Sequence, residues 1–202
     1  MKKDVPSAIS AATPSVEGSL YNYLMAVYTK KGDRGETSLY NGRDGQKKRL
    51  SKASLKIEAI GAVDEVNSFL GIVISGADSG LGKILKQIQK ELFLISSILA
   101  GAKLRFYSTK TKRLEKQIDE MDKVLPPLKN FLFPGGTEKA AQLYFSRSLV
   151  RRAERAIVRL AQKETVRPQI LEYLNRLSDF LFVLARKTNS EAKVKEEIWK
   201  NE

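Results

Sequence analysis

From about Ser51 onward, apolar residues recur at intervals of three and four, the spacing that lines one face of an α-helix. Leu55, Val63, Val66, Leu70 and Val73 predict a first helix ending near Gly76. Ile84, Leu85, Ile88, Leu92, Ile95 and Leu99 predict a second ending at Gly101. Both glycines suit C-terminal caps, where the backbone often turns left-handed. A third helix runs from about Thr111 through Leu114, Ile118, Met121 and Leu125 to Pro126 and Pro127, which cannot continue the hydrogen-bond ladder. A fourth starts after Pro134-Gly135-Gly136 with Thr137 as N-cap and reaches about Lys163. The fifth spans Pro168 to about Thr188 through Ile170, Leu174, Leu177, Leu181 and Leu184. Five amphipathic helices with short links predict an all-α bundle. Only Leu24–Thr29 reads as extended, and no internal repeat follows the N-terminal segment.

Residues 1–25 read as a flexible extension, 26–190 as the helical domain and 191–202 as a C-terminal tail. Lys2 and Lys3 are followed by small and polar residues instead of the apolar core of a secretory signal, and no apolar run is long enough to span a membrane. The expectation is a cytoplasmic protein.

The composition removes whole classes of chemistry. With no cysteine and no histidine among 202 residues, thiolate and Ser-His-Asp nucleophiles and thiolate or imidazole zinc sites are excluded. Any reaction must rest on Lys, Arg, carboxylates and placement.

The net charge of +13 is unevenly spread. Residues 30–57 and 139–167 each carry +6, and the remaining stretches are close to neutral. Both basic stretches hold unusual motifs. The first is Thr29-Lys30-Lys31-Gly32-Asp33-Arg34-Gly35-Glu36-Thr37-Ser38. Glycines let backbone N–H groups converge on an anion, bases supply charge, and hydroxyls reach phosphate oxygen or metal-bound water. The loop is neither a Walker A sequence nor GxGxxG, and a plain polar turn has the same composition.

The second motif is Arg147, Arg151, Arg152, Glu154, Arg155 and Arg159 on the fourth helix. At about 100° per residue, Arg147, Arg151 and Glu154 share one arc while Arg152, Arg155 and Arg159 point to another side. A solvated face accounts for Arg155 and Arg159. Arg147 and Arg151 have apolar neighbours in Leu143, Tyr144 and Val150, where a guanidinium favours forked contacts with carboxylate or phosphate. The third motif, Gly61-Ala62-Val63-Asp64-Glu65-Val66-Asn67-Ser68-Phe69-Leu70-Gly71, sets Gly61, Asp64, Ser68 and Gly71 along one helical stripe. A matching polar stripe on the fifth helix holds Asn175, Arg176, Ser178 and Asp179. The two stripes either satisfy each other across the bundle or meet a ligand.

Taken in order, TKKGDRGETSL, GAVDEVNSFLG, FPGG with SRSLVRRAER, and YLNRLSDFLF resemble the ATP:cob(I)alamin adenosyltransferases of the trimeric, propanediol-utilisation type, over about Val27 to Arg186. The resemblance implies a ferritin-like five-helix bundle with an extended N-terminal loop, assembled as a homotrimer with active sites between subunits. It also implies transfer of the 5′-deoxyadenosyl group of ATP to cob(I)alamin, with Mg²⁺ and release of triphosphate. Thr29, Lys30, Gly32, Asp33, Arg34, Gly35 and Thr37 match the family's ATP loop, and Lys52 lies in a stretch that borders the nucleotide. Arg151, Glu154 and Asn175 match residues that hold the nucleotide and its metal-bound phosphates. Asp64 and Arg147 match an acid–base pair joining adjacent subunits beside the corrinoid. Phe131 matches an aromatic residue that fills the space below the corrin and displaces the lower axial ligand.

Such a reaction suits a histidine-free site. Cobalt(I) is already a strong nucleophile, so the protein has only to align it with the ribose C5′ and stabilise the departing triphosphate. The implied partners are ATP, a corrinoid, a cobalamin reductase and an adenosylcobalamin-dependent enzyme, with no membrane and no nucleic acid. Three positions depart from the family: Tyr144 replaces a common His, Lys31 a frequent Thr or Asn, and Arg34 a common Lys. The basic charge alone admits a helical nucleic-acid-binding protein, though no helix-turn-helix spacing or stacking strip accompanies it. A cobalamin carrier retaining the fold without the chemistry is the other alternative.

Overall fold

The computed structural model describes residues 28, 30–40 and 47–200. The chain divides into two compact units, 1–34 and 35–202. In the first, residues 30–34 form a turn in which the Asp33 N–H donates to the Lys30 carbonyl at 3.4 Å and Lys30 is left-handed, with φ +57°. The expected extension and most of the Leu24–Thr29 segment lie outside the described residues.

The second unit opens with an antiparallel hairpin, β1 (Glu36–Tyr40) and β2 (Lys47–Ser51), in register Glu36 to Ser51 through Tyr40 to Lys47. The helical reading missed it, although Asn41-Gly42 and Asp44-Gly45, between the strands, are turn dipeptides of the kind that join hairpins. The Lys52 N–H donates to the Gly35 carbonyl at 2.8 Å and closes the open end of the pair.

Five helices follow: α1 (Leu55–Ser75), α2 (Ser79–Leu99), α3 (Thr109–Asp122), α4 (Glu138–Ala161) and α5 (Pro168–Glu191). α2 begins earlier than its apolar pattern indicates, because the Asp78 carboxylate accepts from the N–H groups of Gly80 and Leu81 and caps it there. α3 ends at Asp122, short of the expected Leu125; Pro126 disfavours helical backbone in the residue before it, and the chain leaves the helix in advance. Leu125 is buried all the same. Of the two expected glycine caps, Gly101 is left-handed at φ +109°, whereas Gly76 has φ −101° and closes α1 without the left-handed turn.

α1 packs against α2 and α4, α4 against α5, and α5 against α3. The residues that set the helical periodicity make the core: Val63, Val66, Leu70, Leu85, Ile88, Leu92, Leu174, Leu177 and Leu181 are fully buried. A polar tie crosses it. Glu91 of α2, 1% exposed, accepts both Nη atoms of Arg113 (α3) at 2.7 Å, the Tyr173 hydroxyl (α5) at 2.7 Å and the Gln87 amide at 3.0 Å. Burial works to raise the Glu91 pKa, but these donors outweigh it and hold the carboxyl below its ordinary value.

Beyond α5 the chain turns back. The Phe133 N–H donates to the Glu197 carbonyl and the Trp199 N–H to the Phe131 carbonyl, both at 2.9 Å, around an antiparallel bridge between Leu132 and Ile198. Residues 192–200, expected as a tail, therefore form a strap paired with the segment before α4. No described helix is long and apolar enough to cross a membrane.

Candidate active site

α4 is the backbone of the site. Thr137 caps it, its hydroxyl accepting from the Ala140 N–H at 3.1 Å, and Leu143, Tyr144, Val150, Ala153 and Ile157 face inward. The opposite ridge carries Arg151 and Arg155, both exposed. Around the helix, the flank toward α5 holds Arg147, whose guanidinium lies 5.6 Å from the Phe182 ring centre, and Glu154, which accepts from the Asn175 amide at 3.2 Å. On the flank toward α1, Arg152 pairs with Glu65 and Arg159 with Glu58. The two-faced helix read from the sequence is present, but Arg159 is tied to α1 rather than simply solvated.

The stripe on α1 faces outward. Gly61, Asp64 and Ser68 are exposed, and a Cβ placed on Gly61 would meet nothing within 4 Å. The polar stripe on α5 is satisfied within itself and by α3 and α4: the Ser178 hydroxyl donates to the Asn175 carbonyl at 2.8 Å, Arg176 bonds Asp179 at 2.6 Å and Glu115 of α3 at 3.2 Å, and the Asn175 amide bonds Glu154 of α4. Cross-bundle pairing of the two stripes is therefore not what keeps α1 polar. Among the described residues, neither Asp64 nor Arg147 makes a side-chain hydrogen bond or ion pair. Beside the stripe, Phe69 stacks edge-on against the half-exposed Phe145 at 4.9 Å, and Ile72 is 56% exposed.

Of the loop residues, Lys30, Gly32, Asp33 and Arg34 form the turn of the first unit, and Thr29 lies outside the described residues. Gly35, at φ +77°, opens the second unit, Thr37 pairs with Leu50 in the hairpin, and Lys52 is exposed.

Phe131 is 79% exposed, which excludes ordinary core packing beside Leu132 and Phe133. Its ring meets Trp199 edge-on at 6.5 Å, on the rim of a concavity of about 850 Å³ lined by Leu128, Lys129, Asn130, Ile198, Trp199 and Lys200. A large aromatic ring held in the open beside a hollow of mixed apolar and basic lining fits a flat, bulky ligand that carries polar groups at its edge. For Mg²⁺ the donors are sparse: the described residues contain no cluster of three acidic side chains. Glu154 is the carboxylate on the arc of Arg147 and Arg151, and a single carboxylate is a donor Mg²⁺ can take where waters and phosphate oxygens complete its shell.

The family model for cobalamin adenosyltransferases matches residues 27–188. The chain belongs to this family. It is 40% identical over 176 residues to the corrinoid adenosyltransferase PduO of Salmonella typhimurium, covering 83% of this chain and 51% of that protein. With a corrinoid adenosyltransferase of Bacillus subtilis the identity is 38% over 175 residues, covering 82% and 88%. The chain thus spans about half the length of the PduO proteins of Salmonella typhimurium and Citrobacter freundii, and most of the Bacillus relative. Among solved structures, a variant PduO-type ATP:corrinoid adenosyltransferase from Lactobacillus reuteri, complexed with cobalamin and ATP, superposes with a TM-score of 0.82 at 34% identity. The match covers 87% of this chain and all of that one.

Within this family member, Tyr144 occupies a buried place, 5.8 Å from the Phe182 ring. Burial, with the Glu196 carboxylate adding to it, pushes its hydroxyl up to about 12, so it stays a neutral phenol where an imidazole would titrate. Residues that sequence reasoning missed lie at the end of α5 and in the strap: Arg186, Asn189, Glu196 and Trp199. At about 100° per residue Arg186 falls in line with Asn175 and Asp179, away from the apolar stripe of α5, so periodicity gave no sign that it is buried.

Proposed function

We propose that this cobalamin adenosyltransferase transfers the 5′-deoxyadenosyl group of ATP to cob(I)alamin, as a homotrimer with active sites between subunits. The single observation that carries this reading is the outward ridge of α4: Arg151, exposed, stands beside the Glu154–Asn175 pair, while Arg147 on the same arc and Asp64 on α1 have no ionic partner among the described residues. Cationic and acidic groups left open on neighbouring helices fit a site that a second copy completes. The apolar patch of Phe69, Ile72 and Phe145 lies on the same two helices and supports that assembly.

In the reaction the cobalt(I) electron pair forms a bond to the ribose C5′, the C5′–O bond breaks, and triphosphate departs with that bond's electrons, leaving cobalt formally two electrons more oxidised. The chain needs no general base, in keeping with the absence of histidine. Lys30, Arg34 and Lys52 provide positive charge for the polyphosphate, and the backbone N–H groups around Gly32 and Gly35 provide donors. Arg151 supplies a planar fork for phosphate oxygens, with Glu154 oriented by Asn175 beside it. Mg²⁺, held through Glu154, would neutralise part of the triphosphate charge. Arg147, held 5.6 Å from the Phe182 ring, would meet a neighbouring copy's Asp64. Phe131 fills the space below the corrin, and removing the lower ligand makes cobalt(II) easier to reduce.

The test is anaerobic incubation of the protein with cob(I)alamin, ATP and Mg²⁺, following the adenosylcobalamin spectrum together with triphosphate. Both products in equal amount are expected, and Arg147→Ala is expected to abolish them while the circular dichroism stays native. Corrinoid binding with neither product would make the protein a carrier.

A further inference from the structure

The end of α5 holds the Phe131 loop by both of its ends. Arg186 is 4% exposed, and its Nη2 donates to the Pro126 carbonyl at 2.8 Å, where the loop begins. The same guanidinium reaches into the strap: Nε donates to Glu196 Oε1 at 3.0 Å and Nη2 to Oε2 at 3.2 Å. One turn later Asn189, 2% exposed, takes the other end. Its Oδ1 accepts from the Thr137 N–H and its Nδ2 donates to the Gly135 carbonyl, both at 2.9 Å. Between these anchors, among the described residues, the loop is backbone-bonded to the strap through the Phe133–Glu197 and Trp199–Phe131 bonds.

Phe131 is too exposed to be placed by its own packing; its ring goes where its backbone is held. That backbone is held by the strap, and the strap's one buried ionic anchor among the described residues is Glu196 on Arg186. The cost of an unpaired buried guanidinium makes the docked strap the state in which Arg186 is satisfied. We infer that Arg186, acting through Glu196, is a positioning residue for Phe131: it clamps the strap to the loop and so sets the height of the ring in the hollow. The inference rests on the proposed placement of Phe131 below the corrin.

The test uses the full chain with Glu196→Gln and Arg186→Lys, and three readouts. Losing a charge-assisted bond of about 1.5 kcal/mol should speed hydrogen exchange at the Phe133 and Trp199 amides about tenfold, with helix-core amides unchanged. Affinity for ATP should stay within about twofold, because no group of the clamp belongs to the nucleotide ridge, whereas a global loss of structure would lower both. The adenosylation rate starting from cob(II)alamin with a reductant should fall at least about fivefold more than the rate from pre-reduced cob(I)alamin. Arg186→Lys should recover part of that ratio, since an ammonium can meet one partner but not the fork.

Unchanged exchange at both amides would overturn the clamp. Faster exchange with equal losses on the two cobalt routes, or none, would overturn the link to Phe131. Should Glu196→Gln lose its fold, Glu196→Asp gives the same comparison with the charge retained and the reach shortened. A wild-type protein that forms no adenosylcobalamin from cob(I)alamin and ATP overturns the reading of the site and this inference with it. The exchange measurement, which needs no corrinoid, separates that failure from failure of the clamp.

Discussion

Arg151 and Arg155 carry the same charge four residues apart on one exposed ridge, yet only Arg151 stands on the arc that also bears Glu154 and Arg147. Arg151→Ala is expected to weaken ATP binding about tenfold or more, the value of one charge-assisted contact, and Arg155→Ala much less. Calorimetric titration of ATP with each variant checks this, and equal losses would mean that bulk charge, not position, binds the nucleotide. Phe131 calls for a different assay. Phe131→Ala should slow the reaction from cobalt(II) far more than that from pre-reduced cobalt(I), since cobalt(I) no longer needs help to shed its lower ligand. Parallel losses would remove Phe131 from that role. Tyr144, a buried phenol raised to about 12, should leave the pH–rate profile flat between pH 6 and 9, and Tyr144→His should introduce a titration there.

Among the elements, the turn into α4 is the least tolerant. Gly136 has φ +103°, and a Cβ there would fall 2.3 to 2.5 Å from Asn189 side-chain atoms, the same amide that bonds Gly135 and Thr137. Gly136→Ala combines a left-handed penalty with overpacking and is expected to cost about 3 kcal/mol in chemical denaturation. The Thr137 cap is worth about 1 kcal/mol, so Thr137→Ala should show the smaller loss. A milder effect at Gly136 than at Thr137 would mean the loop can re-route around Asn189. The Arg152–Glu65 and Arg159–Glu58 pairs, each about half exposed, align α1 with α4 while adding little stability.

For the molecule as a whole, the Glu91 tie governs behaviour in acid. Its folded pKa lies below the ordinary value of 4.5, so the stability it contributes is present above that value and is lost as pH falls through the folded one. Glu91→Gln should lower stability at pH 7 by about 3 kcal/mol, the low end for a broken buried pair because Arg113 is partly exposed. It should also flatten the decline below pH 4.5, followed by urea titration across pH; an unaltered acid limb would place that dependence in other carboxylates. The proposed trimer is a whole-molecule property too. Sedimentation should give three copies at working concentration, and a monomer active at wild-type rate would remove the need for a neighbouring Asp64.

The five helices were legible in the sequence because burial imposes a 3.6-residue rhythm that the apolar side chains record directly, and Thr137, Pro168 and Gly101 marked their ends by local backbone chemistry. The arc of Arg147, Arg151 and Glu154 was legible for the same reason, being a property of one helix. The hairpin was not, because its strands are short and mostly polar and its signal lay in two turn dipeptides. Nor was the strap, whose backbone bonds to the loop join residues more than sixty positions apart: nothing near Glu197 announces Phe133, and nothing near Trp199 announces Phe131. Local periodicity is written in neighbouring residues, so the sequence determined the helices and their charged faces by itself. Which open ends of those faces and loops meet depends on packing between distant segments, and only the tertiary structure decided that.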